Sequence, residues 1–515
     1  MKRKWFIPIV IIAVWCILLC VLVYAESFSE EASIRTMEDA FWYAVVTLTT
    51  VGYGDTYPVT ALGKGVGLLF ICLSTGFLTF LIGLLVSVIL GQVLPLLRLR
   101  MARKRMWYIF YKENEESLEL VKHLLRDDGE ACFIFLNGTS EYRKYASLNG
   151  RIFYLTVKLE ELLSIKKNKK YKYFILEEEG YIELSRTLEG KIEGEIYCQT
   201  ECVMNQIPDN VRLFSRFDGC ARLYWRQKPI ARKEELIILI GCGKYGTAIL
   251  ERALMNNVIS PEQNIQYHIF GETEEFQKNH YCLHEMVNVN GLGDKNDSVW
   301  FHEQKWNYSR ELLEKASRII ICEDTDAENL KIYNQLIRYF VPEGELHIRL
   351  WQDVGLAFSF GTLAEMYVPD VVMNGRLNQM AMLMHEIYRN VSTTPVAEWE
   401  QLSEFTKQSN IAAAEHLLQK IRILMEDGQY SEVSADICRE AYSRYCRKKD
   451  VECFRKIEHD RWMRFYLTNN WKYGPIRNDE KRLHPFLVPY EMLQEKEQEK
   501  DDYAWKLLEA VADKL

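Results

Sequence analysis

Positive charge is not in surplus here. The 515 residues carry 64 Lys and Arg against 72 Asp and Glu, a formal net charge of −8. A polyanion-binding surface needs the reverse balance, so no nucleic-acid partner is expected. Paired cysteines are lacking as well. Thirteen cysteines are scattered without a tight ligand spacing, and none falls in the acidic stretch 26–40. This fits a reducing compartment without disulfides. Cys198 and Cys202 stand four apart, but no His or Cys pair answers them, which argues against a zinc site. Charge is also missing from two long runs, 5–25 (WFIPIVIIAVWCILLCVLVYA) and 66–97. A helix of such length crosses roughly 30 Å of hydrocarbon. The second run is longer and suits a tilted span that extends below the membrane. A cleaved signal peptide fits the first run poorly, since such peptides hold roughly 7–15 apolar residues.

What charge there is flanks these runs unevenly. MKRK opens the chain and RLRMARKRM follows the second run, while the acidic ESFSEEASIRTMEDA lies between them. Lys and Arg outside both ends of a hairpin predict a bilayer-embedded segment with both termini cytoplasmic.

Between the runs stands TLTTVGYGDTYP, with four threonines and two glycines a residue apart. Such glycines break a helix or strand, so the segment asks for an unusual backbone. The preceding TMEDAFWYAVVTLTT predicts a short helix over 37–49, with Thr36 as N-cap and Asp39 three residues on. Its C-terminal end carries partial negative charge, which favours a cation below it. Residues 50–54 are Thr50, Val51, Gly52, Tyr53 and Gly54. Alternating backbone conformations there turn successive carbonyls to one side. Four copies about an axis replace the water shell of K⁺, so a homotetramer follows. Non-helical backbone at membrane depth survives only where protein buries it or water meets it.

TTVGYGD resembles the potassium-channel signature, and FWYAVVTLTTVGYGDTYPVTALGKG resembles the pore helix, filter and outer turn of two-helix potassium channels. The resemblance implies ion sites lined by the carbonyls of Thr50, Val51, Gly52 and Tyr53. It implies a supporting cuff of Trp42 and Tyr43, with Asp55 bonded to that cuff. It also implies a hinge glycine in the inner span. Ser74 occupies that place here and Gly76 is the nearest substitute. Gly91 and Pro95 offer a bend lower down, since proline removes a helical hydrogen bond. Close helix packing is the other use for these glycines.

After RKRM, short apolar strands alternate with helices, which predicts parallel sheet with crossover helices. The clearest unit is ELIILIGCGKYGTAILERAL, followed by the strand IQYHIFGE. Gly241, Gly243, Lys244 and Gly246 form a GxGxxG turn between strand and helix, the dinucleotide fingerprint in its required setting. A pyrophosphate is expected at the helix N-terminus and a ribose hydroxyl at Glu272. Glu323, Asp324 and Asp326 follow the strand of SRIIICEDTDAENLKIYNQLI, at the sheet edge where ligands collect, or as helix N-terminal acids. An empty Rossmann-like site stays open as an alternative. The earlier half looks like a degenerate copy. Its first turn, YKENEES, has no glycine and several acids, which repel phosphate.

Two such units behind a pore resemble the tandem regulator-of-potassium-conductance domains of ligand-gated channels. The segment near the C-terminus resembles the ryanodine-receptor repeat domain through Glu458-His459, Trp462, NWKYGP, KRLHPFLVPYEML and Glu499-Lys500-Asp501. LSEFTKQSNIAAAEHLLQK resembles a helical segment that precedes such repeats in bacterial proteins, implying a bacterial inner membrane. The common SNR reads Ser409-Asn410-Ile411 here, so a role for that arginine is lost. Aromatics interleaved with arginine suit a planar, phosphorylated ligand. Arg461, Trp462, Trp471, Tyr473, Arg477 and His484 are the candidate contacts. A plain helical-domain core is the competing use of Trp462 and Trp471.

The expected architecture is a multidomain membrane protein. It comprises a pore domain (1–97), two α/β Rossmann-like domains (98–232 and 233–360), a helical connector (361–429) and a mainly α repeat domain (430–515). The expected function is a K⁺-selective, homotetrameric channel. A nucleotide-type ligand, such as NAD(H), ATP, ADP or another nucleotide, would open or close it. An alternative is a stress or anti-phage effector that depolarises the membrane when a partner-made nucleotide messenger binds. An NAD-dependent enzyme is not expected, because no acid, base and nucleophile converge near the Gly loop. A scaffold that docks another protein remains a fourth reading.

Overall fold

The computed structural model describes residues 6–102, 105–137, 151–155, 157–166, 170–177, 180–188, 193–201, 208–373, 375–391, 395–426, 430 and 432–514. Within these, the side chains of 6–12, 73, 74, 77, 91 and 92 are outside the description. The chain forms two compact units, Met1–Arg103 and Lys104–Leu515.

In the first unit, α1 spans Phe6–Glu26 and α2 spans Met37–Leu48. A full capping box starts α2: Asp39 N–H donates to Thr36 Oγ1 (3.1 Å), and Thr36 N–H donates back to Asp39 Oδ2 (2.9 Å). Ala40, Tyr43 and Ala44 of α2 pack into a small core with Leu19, Leu22 and Phe70. Helix α3 spans Ala61–Val88, so it begins before residue 66, where the sequence placed the second run. The early start has a local cause. Thr60 caps it by accepting from Gly63 N–H (2.8 Å), and the buried Glu26 carboxylate accepts from Thr60 N–H (3.0 Å). Below it comes a π-helical turn, Ile89–Val93, and then α4, Leu94–Met101. Leu94 N–H reaches back to Ile89 O, and Pro95 follows with no N–H to give. Among the described residues no helix is long and apolar enough to cross a membrane. Described side chains in α1 begin at Ala13, and in α3 they are interrupted at 73, 74 and 77. The two expected spans therefore rest on the sequence.

The second unit holds two large parallel sheets and a two-stranded parallel one, Lys472–Tyr473 with Leu483–His484. The first is built from β1 (Trp107–Lys112), β2 (Cys132–Asn137), β3 (Ile152–Tyr154), β4 (Tyr171–Ile175), β5 (Glu195–Gln199) and β6 (Val211–Phe214), in the order β3-β2-β1-β4-β5-β6. One face carries a ring ladder across five strands: Tyr154, Phe135, Phe110, Phe174 and Tyr197, with centroids 5.0–5.2 Å apart. Near-continuous apolar strands suit a sheet buried on both faces. Helix α5 (Glu115–Asp127) follows β1, capped by Asn114, with Glu115 and Glu116 in its first turn. Its N-terminus is thus acidic, as the sequence indicated.

The second sheet contains β7 (Leu236–Ile240), β8 (Gln266–Phe270), β9 (Asn288–Val289), β10 (Ser298–His302), β11 (Arg318–Ile321), β12 (Glu345–Arg349) and β13 (Ser359–Phe360). Its order is β13-β12-β11-β7-β8-β10-β9, all parallel. Both sheets reverse direction beside the first strand, the doubly wound arrangement that leaves a crevice at the strand C-termini.

One continuous core joins these sheets to the helices that follow. Helix α6 (Arg216–Gln227) leaves the first sheet and packs on α7 (Lys244–Asn256) of the second. Trp225 Nε1 donates to Ile249 O (3.0 Å), and Arg252 Nε donates to Asp218 Oδ1 (2.6 Å). After β13 come α8 (Gly375–Val391), α9 (Glu404–Met425), α10 (Ala435–Cys446), α11 (Glu452–Thr468) and α12 (Glu495–Ala512). Helix α11 is bolted to the second sheet's periphery. Arg464 pairs with the buried Asp297 (2.8 Å), and His280 Nδ1 meets Thr468 O (3.0 Å).

Candidate functional site

The VGYG segment sits where α2 ends. Thr50 (φ 61°), Gly52 (57°) and Gly54 (75°) are left-handed, while Val51 and Tyr53 between them are not. Such alternation aims successive carbonyls to one side. Thr50 is β-branched, so its left-handed backbone costs about 1–3 kcal/mol and must be held by its surroundings. Val51 N–H donates to Val46 O (3.0 Å), which ties the strained start to the last turn of α2. Trp42 Nε1 donates to Asp55 Oδ2 (2.8 Å), and the Trp42 ring lies parallel to Tyr53 at 6.1 Å. Tyr43 is buried, and a Cβ on Gly67 would meet its hydroxyl at 3.1 Å. Trp42 thus meets both Asp55 and Tyr53, while Tyr43 faces α3 through Gly67 and Phe70.

Sequence reasoning grouped Glu26 with the acidic turn and missed its role. It is fully buried. It accepts from Val59 N–H (2.9 Å), Thr60 N–H (3.0 Å) and the Thr60 hydroxyl (2.8 Å). The end of α1 therefore anchors the loop that follows residues 50–54. Ser33 and Tyr57 add a reciprocal pair, with Tyr57 N–H to Ser33 Oγ and Ser33 Oγ–H to Tyr57 O both at 2.9 Å. Of the proposed hinges, Gly76 lies within α3 with open space where a Cβ would stand. Gly91 lies in the π turn, and Pro95 is the second residue of α4 below it.

The Gly loop lies between β7 and α7. Gly241 has φ 103°, and a Cβ there would come 2.6 Å from Glu323 N. A Cβ on Gly246 would lie 2.0 Å from Gly241 O, so only glycine lets this turn close. Gly243 is the N-cap of α7, and Lys244 pairs with Glu201 (3.1 Å). Asp324, which follows β11, turns its carboxylate onto this helix. Lys244 N–H and Tyr245 N–H both donate to it at 3.3 Å. Glu272 is exposed after β8. Burial raises the Glu323 carboxyl, and Glu328, Asp324 and Glu272 raise it further. Asp326 is committed elsewhere, to Arg349 (3.0 Å) and Trp351 N–H (2.7 Å).

The C-terminal candidates separate into buried and exposed sets. Arg461 is buried and bonds to Glu458 through two nitrogens (2.6 and 3.1 Å). Lys420 from α9 lies 2.7 Å from the same carboxylate. Burial opposes charge on Glu458, but Arg461 and Lys420 outweigh it and hold the carboxyl at about 2. Trp471 is buried and stacks on Phe405 at 4.9 Å. His484 is buried between Trp462 (4.9 Å) and Tyr466 (5.3 Å). Burial, then the Arg477 charge, lowers it to about 4. These contacts are those of a packed core, the competing use of the aromatics. Tyr473 is exposed, and Arg477 pairs with Asp479 (2.7 Å). A separate open cavity of about 430 Å³ lies between α10 and α12, lined by Arg439, Tyr442, Arg447, Glu509 and Asp513 among others. None of the six candidates lines it. Of the cysteine pair weighed as a metal site, Cys198 is buried in β5 with its Sγ 3.6 Å from Gln199 O, and Cys202 lies outside the described residues.

The fold is thus a helical segment with a left-handed VGYG turn, followed by two doubly wound units and a helical module. Comparison with known proteins makes the two ends specific. Residues 9–90 match the family model described as Ion channel, and residues 448–512 match the RyR domain. The chain thus carries a potassium-channel-type pore segment and an RyR domain. It is similar to the human potassium voltage-gated channel subfamily A member 6, 52% identical over 56 residues, 11% of this chain and 10% of that one. Subfamily A member 5 of Mustela putorius furo is 54% identical over 56 residues, 11% of this chain and 9% of that one. The human member 4 is 39% identical over 100 residues, 19% of this chain and 13% of that one. The chain therefore spans about a tenth of the length of the curated relatives it matches. Among solved structures, the GsuK channel aligns with 73% of this chain and 84% of its own at 12% identity, TM-score 0.33. The GsuK channel bound to NAD aligns with the same shares at 11% identity, TM-score 0.32.

Proposed function

We propose that the chain is a K⁺-selective channel of the bacterial inner membrane, assembled as a homotetramer with both termini in the cytoplasm. The alternating left-handed backbone of Thr50, Gly52 and Gly54 carries this reading, because it is the conformation a carbonyl-lined ion path needs. The Trp42–Asp55 bond supports it by holding the exit of that path. Ile17, Leu68, Leu69, Phe80, Leu84 and Leu85 are exposed in the single chain, an apolar surface that lipid or further copies would cover. Permeant K⁺ would be coordinated by the Thr50, Val51, Gly52 and Tyr53 carbonyls.

The two doubly wound units and the RyR domain form the gating assembly in this reading. They resemble tandem regulator-of-potassium-conductance domains. A nucleotide-type ligand binds the Gly loop, where Gly241, Gly243 and Gly246 permit close backbone approach, and Glu272 stands at the ribose side. Its differential affinity for two arrangements of the assembly biases the pore. The π turn before Pro95 and the glycine at position 76 supply the bending points. In the RyR domain, exposed Tyr473 and Arg477 are the remaining contacts for a planar ligand. The reading is tested by K⁺ efflux from liposomes holding the full chain, with and without NAD, ADP and ATP. Selective flux that one of them alters supports it, and flux without K⁺ over Na⁺ preference refutes the filter assignment.

A further inference from the structure

The anion position of the Gly loop is held by the protein's own carboxylate. A dinucleotide fingerprint works by presenting free N–H groups at a helix N-terminus to a pyrophosphate. Here the Lys244 and Tyr245 N–H groups that would do so donate to Asp324. Gly243 is explained by the same contact. The three atoms nearest to a Cβ placed there all belong to the Asp324 carboxyl, with Oδ2 at 2.5 Å. The fingerprint's middle glycine thus makes room for Asp324, in the place where a phosphate would need that room. Asp324 is braced from its backbone. Arg349 Nη1 donates to its carbonyl (3.3 Å), and the Arg349 guanidinium lies over the Tyr245 ring at 3.9 Å. Two neighbouring acids, Glu323 and Glu272, add to the repulsion a phosphate would meet. At 3.3 Å both bonds from the helix to Asp324 lie at the long end of the hydrogen-bond range.

We propose that Asp324 is a phosphate-excluding gate. The loop takes a ligand through a nucleoside end while Asp324 occupies the α7 N-terminus, and a phosphate enters only by displacing it. This rests on the reading of the Gly loop as a nucleotide site and narrows its ligand to a nucleoside or a compound bound by its nucleoside end.

The test uses the full-length protein in detergent, with adenosine and ADP as calorimetric probes, and the variants Asp324→Ala and Asp324→Asn. Adenosine should bind wild type and both variants alike. ADP should bind Asp324→Ala at least about tenfold more tightly than wild type, because a like charge leaves the helix end. Asp324→Asn should fall between, since it removes the charge and keeps the bulk. Equal ADP affinity in wild type and Asp324→Ala overturns the gate alone. Binding of neither probe to any of the proteins overturns the nucleotide reading, and the gate with it. Thermal unfolding tests the geometry without a ligand. Gly243→Ala should lower the melting temperature in the wild-type background and cost much less in the Asp324→Ala background. The same loss in both backgrounds would mean that Asp324 does not fill this space, and the proposal falls.

Discussion

Replacing Glu26 by glutamine probes how the loop after residues 50–54 is held. The carboxylate is fully buried and accepts from two backbone N–H groups and one hydroxyl at 2.8–3.0 Å. Glutamine keeps the shape but has one acceptor oxygen. Its amide must turn an N–H toward one of the backbone donors, leaving that donor unpaired. Hydrogen bonds to a charged acceptor contribute roughly 1.5–3 kcal/mol, and an orphaned buried donor costs roughly 1–3 kcal/mol. A loss of about 2–4 kcal/mol at loop 55–60 follows, a ~30- to ~1000-fold rise in the released population. Gly63→Ala should act alike, since its Cβ would stand 1.9 Å from Glu26 Oε1. The double variant should lose less than the sum of the singles, because both break one contact. The assay is sustained K⁺ flux from liposomes together with the heat stability of the assembled protein. Glu26→Gln with wild-type melting and undiminished flux would refute the capping argument.

Trp42→Phe removes the indole donor to Asp55, so flux should decay faster and discriminate K⁺ from Na⁺ less well. Asp55→Ala, which removes the acceptor, should match it, with the double variant no worse. Glu458→Gln leaves Arg461 and Lys420 buried without their shared carboxylate. A loss of about 3–5 kcal/mol is expected in denaturant unfolding of the full chain. Acid should weaken the same region. Buried His484 titrates at about 4 in the fold against 6.5 in an exposed histidine. Between those values the unfolded chain binds the extra proton, so stability falls as pH drops from about 6.5 towards 4. The loss is on the order of 3 kcal/mol at most. His484→Gln should flatten that part of the stability curve, and an unchanged curve would remove His484 from the account.

What the sequence revealed about this chain was local. Gly52 and Gly54 announce their own backbone, and Thr36 with Asp39 announces the start of α2, because caps and glycines act within a few residues. Apolar strands between helices likewise announced two wound sheets. The failures were contacts between distant segments. Glu26 binds Val59 and Thr60, far along the chain, so it read as one more acid in an acidic turn. Gly63, Gly65 and Gly67 weaken a helix by about 1 kcal/mol each, which hid the true start of α3 at Ala61. Thr60 at the N-cap was the available signal. Asp324 reads locally as a ligand contact or a helix N-terminal acid, and its bonds to Lys244 and Tyr245 N–H, far along the chain, were not legible. Arg461 and Trp471 looked like a ligand's partners because sequence cannot tell an aromatic core with a buried ion cluster from a binding face. Here α9 supplies Lys420 and Phe405 to that cluster and core.

The central claim is a K⁺-selective pore built from residues 47–58. Its most direct test is ion flux through the purified full-length protein in liposomes, with K⁺ and Na⁺ gradients compared for wild type and Gly52→Ala. Gly52 has φ 57° and open space around it, so an added methyl strains only the backbone. K⁺ flux well above Na⁺ flux is expected in wild type, with loss of that preference in the variant. Equal K⁺ and Na⁺ flux in wild type, or an unaltered preference in Gly52→Ala, would contradict the central claim.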